Sequence, residues 1–379
     1  MIYVVRKGEP LGLIARQFGV SPEEIIEENE LRFISYPVPG QSVIIPEGEL
    51  SKQHVYRNIH TNGYIIPSSI NSDFYILEDG REVLTWACPL TCFSAGDEGD
   101  SYDKNIALRS KEIKISPMLY VSNGKENQFD GNMVHDILIN PDRQAKIIEN
   151  ILNILKNNGY YGINIHFERV FQEDREALSS FFKRLYYSLK REGYYLFISL
   201  PPKQFDTDSG QWFGAFDYEE IGRNSDAVII MPGEWGWHEG PPMSLLPMEK
   251  LKNVIEYAVS LINSNKIMIS MPLYGYDWIM PYCPGGPPAR RITTYQAFMI
   301  AAKYHSEILY DEKNQSPYFD YSDDKNSHRV WFEDLRSFEV KLKLIWEYSL
   351  KGLSFIFFEK VYTPFFKVLN DIFKVQKIV

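Results

Sequence analysis

Apolar positions recur along the chain at two alternating periods, and the change of period marks out the elements. In residues 1–46, Tyr3-Val4-Val5 reads as a strand, and Leu11, Ile14, Ala15 and Phe18 then fall at helical spacing until Gly19 ends the run. Ser21 followed three residues later by Glu24 is a capping box for a second helix carrying Ile25 and Ile26. Pro39-Gly40-Gln41 is a turn, and Val43-Ile44-Ile45 is a closing strand. The segment is therefore a small strand–helix–helix–strand unit, bounded at residues 1–47.

Residues 48–58 are polar and read as a linker. From residue 59 to residue 379, strand-like apolar runs alternate with amphipathic stretches. The runs are Gly63–Ile66, Leu84–Ser94, Ile115–Ser122, Gly162–Glu168, Tyr195–Leu200, Ala227–Met231, Ile267–Leu273 and Leu353–Phe358. Eight such runs with helices between most of them predict an α/β fold, a (β/α)8 barrel of the TIM type. The clearest helix covers Pro141–Asn158, with Asn140 as its cap, Pro141 in its first position and Gly159 as its stop. The long stretch between the seventh and eighth runs exceeds a simple crossover. Its part at about residues 280–331 is expected to be a small α+β insertion holding a helix and a hairpin.

Composition narrows the function. A formal net charge of -10 argues against nucleic acid, whose binding needs clustered cations. Aromatic residues make up 15% of the chain, more than a core requires, and ring faces stack well on the C–H faces of sugars. No run approaches a bilayer span, so no membrane insertion is expected. Met1 leads directly into the first strand without a basic segment and apolar stretch, so no signal peptide is expected and the chain is read as made in the cytoplasm. Cys88, Cys92 and Cys283 are too few for a disulfide framework, and the first two read as buried thiols in a strand. No metal-ligand spacing and no Gly-rich phosphate loop is present, so neither a metal nor a cofactor is predicted.

The chemistry concentrates in Gly162-Ile163-Asn164-Ile165-His166-Phe167-Glu168. Alternation along a strand sends Ile163, Ile165 and Phe167 to the helices, and Asn164, His166 and Glu168 into the barrel. Barrel strands are normally apolar on both faces, so three inward polar groups must be hydrogen-bonded or functional. Glu168 comes last, at the C-terminal mouth where such barrels keep their active sites. The bland alternative is a buried network that only fixes the barrel. His166-x-Glu168 also opens a zinc deaminase signature, but the Pro-Cys-x-x-Cys that must follow is missing. Asp323-Asp324 reads as a solvated hairpin tip.

Two resemblances sharpen this reading. Tyr3-Val4-Val5, Gly8, Leu11, Ile14-Ala15, Phe18-Gly19-Val20, Asn29 and Val38-Pro39-Gly40-Gln41 through Ile45-Pro46 resemble a LysM module. That implies affinity for N-acetylglucosamine polymers through Gly8, Glu9, Pro10, Leu11 and Asn29. Here Glu9-Pro10 stands for the usual Asp-Thr or Asp-Ser, and Gly12 for the usual Trp. The remainder resembles family-18 glycoside hydrolases, in particular the bacterial spore-cortex-lytic glucosaminidase branch. The fourth-strand motif Asp-x-x-Asp-x-Asp-x-Glu aligns with Tyr161-Gly-Ile-Asn164-Ile-His166-Phe-Glu168. Asn62-Gly63-Tyr64-Ile65, Glu234-Trp235-Gly236-Trp237, Gly240-Pro241-Pro242-Met243, Tyr274-Gly275-Tyr276-Asp277-Trp278 and Trp331-Phe332-Glu333-Asp334 follow in the family's order.

The resemblance implies that Glu168 protonates the glycosidic oxygen while the substrate's own acetamide attacks C1. It also implies a substrate site of Asn164, His166, Glu234, Trp235, Tyr274, Asp277 and Trp278, although each tryptophan and Tyr274 equally suits core packing. Three of the family's partner groups are replaced: His166 for Asp, Gly233 for Tyr and Ile356 for Trp. Two functions stay open on these residues. One is a β-N-acetylglucosaminidase acting on peptidoglycan, such as spore cortex, or on chitin-like oligomers. The other is a catalytically impaired barrel that binds glycan or builds the spore envelope.

Overall fold

The computed structural model describes residues 1–31, 37–46, 56–66, 70–90, 93–94, 104–125, 128–206, 210, 212–233, 235–357 and 361–378. The N-terminal unit forms as its pattern predicts. Strands Ile2–Val4 and Ser42–Ile44 pair antiparallel around helices Leu11–Phe18 and Pro22–Glu28. The capping box closes on both sides: the Ser21 hydroxyl accepts from the Glu24 N–H, and the Glu24 carboxylate accepts from the Ser21 N–H.

Eight parallel strands close into the predicted barrel, from Arg57–Ile65 round to Gly352–Phe357, which pairs back onto the first. The intervening strands are Trp86–Pro89, Ser116–Ser122, Gly162–His166, Tyr195–Leu200, Ala227–Ile230 and Ile267–Met271. Ile163, Ile165 and Phe167 join the large outer core shared with the helices. A separate cluster of Tyr64, Trp86, Cys88, Met118, Phe197, Ile229 and Met268 fills the barrel interior. Burial pushes the Cys88 thiol up, which suits an inert packing residue. Cys283 is exposed, and Cys92 lies outside the described residues.

Several boundaries differ from the pattern. The first strand starts at Arg57, within the stretch that reads as linker, because Phe373–Val375 pairs in parallel with Arg57–Ile59 and extends it outward. Most of the expected linker, residues 47–55, is outside the described residues. The expected Leu84–Ser94 strand is shorter, with Phe93–Ser94 a separate piece against Val121–Ser122. The fourth strand ends at His166 rather than Glu168, because the Glu168 backbone hydrogen-bonds to a side chain instead of a neighbouring strand.

The insertion is larger than expected and begins at Tyr274. It is an antiparallel five-stranded sheet ordered Arg290–Thr293, Tyr274–Met280, Ser327–Phe332, Ser316–Ser322 and Leu309–Asp311, with the helix Thr294–Lys303. Asp323 lies at a hairpin tip, as its sequence suggests, where its carboxylate accepts from the Lys325 and Asn326 N–H groups.

The N-terminal unit is fastened to the barrel by polar and apolar contacts together. The Ser42 hydroxyl donates to Asp334, and Arg336 donates to the Gly40 carbonyl. Ile308 N–H donates to the Pro39 carbonyl, and Thr363 donates to Glu30. Gly40, at φ 82°, is required there, since a Cβ would lie 1.8 Å from the Ile308 carbonyl oxygen. Val38, Val43, Ile44 and Ile45 share one continuous core with the barrel. Among the described residues no helix is long and apolar enough to cross a membrane.

Candidate active site

The fourth-strand polar residues do point inward, and each has a different neighbour. Asn164 is fully buried and its side-chain oxygen accepts from the Ser199 hydroxyl, which also meets the Tyr64 hydroxyl at 2.6 Å. His166, one pleat higher, bridges two groups. Its Nδ1 lies 2.8 Å from the Tyr120 hydroxyl and its Nε2 lies 3.0 Å from Glu168 Oε1. The Phe129 ring packs on the imidazole at 5.5 Å.

This bridge accommodates Glu168 in both protonation states. When the carboxyl is ionised, the imidazole donates from Nε2 and accepts the Tyr120 proton at Nδ1. When the carboxyl is protonated, it can donate to Nε2, and Nδ1–H then donates to the Tyr120 oxygen. Both imidazole nitrogens keep a partner in either state.

The Glu168 backbone is held independently. Its N–H donates to Asn123 Oδ1 at 3.0 Å, and its carbonyl accepts from Asn123 Nδ2 at 2.8 Å. Asn123 is itself fully buried and also donates to the Asp130 carbonyl. The glutamate side chain thus leaves the strand end from a fixed base while remaining 27% exposed.

Above it opens a cavity of about 410 Å³. Glu168 and His166 form its polar end. Trp212, Phe213, Met231, Trp235 and Tyr274 supply apolar walls, and Gly233, Ser270 and Ile356 are also among the lining residues. Among the described residues, a Cβ on Gly233 would find only Pro202, at 3.8 Å. The volume and the largely apolar lining with a few polar groups match a pocket for a small amphipathic ligand. Among the described residues no cluster of His, Cys, Asp and Glu could hold a metal ion.

The family model for glycosyl hydrolases family 18 matches residues 91–356, and that for the LysM domain matches residues 3–46. The chain belongs to glycosyl hydrolases family 18. It is 32% identical to the cortical fragment-lytic enzyme of Bacillus subtilis (strain 168), over 99% of each chain. It is 33% identical to the cortical fragment-lytic enzyme of Bacillus anthracis, over 93% of this chain and 94% of that protein. The crystal structure of the Bacillus cereus spore cortex-lytic enzyme SleL superposes with a TM-score of 0.92 at 28% identity, covering 100% of this chain and 98% of that one.

Within this family-18 barrel, the residues singled out in the sequence fall into three places. Glu168, His166, Trp235 and Tyr274 line the cavity, together with the replaced positions Gly233 and Ile356. Asn164 sits beneath it, in the hydrogen-bonded floor. Asp277 and Trp278 belong to the inserted sheet and are buried away from the lining. Asp277 accepts from Tyr321, Arg290 and His328, and the Trp278 indole donates to the Gly240 carbonyl. Glu234 lies outside the described residues.

In the LysM domain, Gly8, Glu9 and Pro10 form the loop into the first helix, which Leu11 opens. Glu9 accepts from the Tyr3 hydroxyl and the Arg6 N–H, and its carboxyl is held below the usual range by the first of these bonds. Asn29 is fully buried and ties Ile25 to the closing strand at Ile44. Its side chain serves the fold of the domain.

Asn123, Tyr120, Trp212 and Phe213 escaped the sequence reading. Asn123 follows the third strand as one polar residue after an apolar run, a weak signal. Trp212 and Phe213 come from a loop with no periodicity to reveal them.

Proposed function

We propose that the chain hydrolyses β-1,4 bonds next to N-acetylglucosamine in peptidoglycan, with the spore cortex as its setting, or in chitin-like oligomers, and that Glu168 is its acid and base. The observation that carries this reading is that the Glu168 carboxyl opens into an unfilled, aromatic-walled cavity at the C-terminal mouth of the barrel. Among the described lining residues Glu168 is the one carboxylate. A scheme with a second enzyme carboxylate as nucleophile therefore lacks its partner among them.

The substrate's 2-acetamido group supplies the nucleophile instead. Its oxygen bonds to C1 as the C1–O glycosidic bond breaks, and the Glu168 proton passes to the departing oxygen. Water then opens the oxazolinium ring, and Glu168 takes up the proton that the water gives. His166 tracks the charge on Glu168 through Nε2, and Tyr120 tracks His166 through Nδ1. The stretch Gly8–Leu11 of the LysM domain, exposed at Gly8 and Pro10, is the complementary contact for the same glycan.

The test is incubation with N-acetylglucosamine oligomers and cortex peptidoglycan fragments, with products followed by mass spectrometry beside a Glu168→Gln variant. Cleavage by the parent alone supports the proposal; a folded parent that cleaves neither substrate sinks it. The second reading is a glycan-binding or structural spore-envelope barrel. It is favoured by the imidazole that occupies the family's aspartate position and holds Glu168 Oε1 at 3.0 Å.

A further inference from the structure

On the outside of the barrel, the helices Pro141–Asn158 and Arg175–Arg191 precede and follow the fourth strand and pack side by side. Between them runs a groove of about 790 Å³, larger than the cavity at Glu168. On the first helix Ala145, Ile148 and Leu152 line it at i, i+3 and i+7, which is one helical face. On the second, Arg184, Tyr187 and Arg191 repeat that spacing. The groove therefore has an apolar floor over several turns, and that floor is open: Tyr187 is 53% exposed.

The rim is cationic although the chain carries a net charge of -10. Lys156, Lys183, Arg184 and Arg191 line the groove against two carboxylates, Glu149 and Glu192. All four cations are exposed, and among the described residues none of them makes an ion pair. Arg184 is instead tied across the groove to the buried Gln144, whose amide donates to the Leu138 carbonyl at 2.8 Å. A second groove between barrel helices, Ile70–Asp79 and Lys104–Glu112, shows the contrast: its Arg109 pairs with both Glu78 and Glu112. Unpaired positive charge beside open apolar surface is complementary to an acidic, partly apolar partner.

We propose that this groove docks an acidic amphipathic helix of a partner protein. Such a helix lays its apolar face on Ile148, Leu152 and Tyr187 and carries Glu or Asp along both edges, toward Lys156 on one side and Lys183 and Arg191 on the other. The stretch from Ala145 to Lys156 spans roughly 17 Å, about three turns of a docked helix. A flexible polyanion would meet the cations but leave the apolar floor in water, and a flat bilayer does not enter a concave groove. The groove shares no lining residue with the cavity at Glu168, so the inference stands apart from the hydrolase reading.

The test is fluorescence anisotropy of labelled probes titrated with the full chain. The main probe is a synthetic Leu/Glu peptide of about 16 residues, patterned so that a helix is apolar on one face and acidic on the other. Its controls are the same peptide with Lys for every Glu, a polyglutamate of equal length, and vesicles of anionic phospholipid. The acidic amphipathic peptide binds, and both peptide controls bind at least about tenfold more weakly. Lys183→Glu/Arg191→Glu weakens binding by at least about tenfold through the rim, and Tyr187→Ala weakens it through the floor. These exposed positions leave the melting temperature and any glycan cleavage as in the parent, which separates lost docking from lost folding. Four results overturn the inference: no binding of the acidic peptide, binding that survives both variants, equal affinity for polyglutamate, which assigns the groove to polyanions, or vesicle binding that the charge variant abolishes, which assigns it to a membrane surface.

Discussion

The Asn123 side chain hydrogen-bonds to both the N–H and the carbonyl of Glu168, so one amide from the end of the third barrel strand fixes a residue two places beyond the end of the fourth. It substitutes for the strand ladder that stops two residues earlier, and it turns the glutamate over the cavity rather than along the sheet. Asn123→Ala leaves a partly buried N–H and carbonyl without partners, at a cost of about 1–3 kcal/mol. It also frees the proposed acid to drift, and a displacement of about 1 Å can cost on the order of 100-fold in rate. The expected result is a lower melting temperature and a kcat that falls far more than KM rises. An unchanged kcat would show that the clamp is structural alone.

His166 stands where the family's pattern has an aspartate, and an imidazole cannot offer negative charge to the cation that develops at C1. His166→Asp keeps the Tyr120 hydroxyl as a donor and supplies that charge. Turnover of N-acetylglucosamine oligomers is expected to rise, on the order of 100-fold if one preorganised partner has its usual weight. Steady-state kinetics on chitobiose and chitotriose analogues would measure it. A decrease would show that His166 has been recruited for a catalytic task of its own.

Much of this architecture is legible in the chain, and what is not has a physical reason. The inner barrel strands stand out because both of their faces are apolar, and Asn164, His166 and Glu168 stand out against that background. Asp277 and Trp278 mislead for a related reason. Their alternation is that of a half-buried strand, and spacing alone does not distinguish an inserted antiparallel sheet from the rim of a barrel. Asn164 carries the same inward signal as Glu168, yet it is buried and a serine from the next strand donates to its oxygen. Asn123 and Trp212 gain their roles only when the loops close over the barrel, and no local pattern encodes that closure. The parallel strand Phe373–Val375 is equally a product of tertiary pairing.

Glu333 and Lys341 form a buried ion pair, with Nζ 2.5 and 2.6 Å from the two carboxylate oxygens. Burial raises the Glu333 carboxyl even against the attraction of Lys341. Lys341→Met strands the carboxylate and is expected to destabilise the protein by about 3–5 kcal/mol, whereas the double variant Glu333→Gln/Lys341→Met recovers most of that loss. Urea denaturation of the three proteins distinguishes the cases. If the double variant is no better than the single one, the pair is not the source of the effect.

His60 gives stability a dependence on pH. Burial, with Lys351 nearby, lowers its imidazole from the ordinary 6.5 to about 4. Between those values the unfolded chain holds a proton that the folded chain does not, so stability falls as pH drops through that window. Above 6.5 both states are neutral at this site and the contribution is constant. Melting temperatures from pH 7 to pH 4.5 should therefore decline less steeply for His60→Gln than for the parent. Parallel curves would rule His60 out as the cause.

The fastening of the LysM domain through Ser42, Gly40, Pro39 and Glu30 has a consequence for a polymeric substrate. A module on a loose tether would raise the local concentration of glycan over a wide sphere and leave the cleavage position to chance. A module welded to the barrel behaves as a jig. On the proposed function, a strand it grips reaches Glu168 at one offset and in one direction, so the spacing of sugars along the polymer, rather than the reach of a linker, sets which bond is presented.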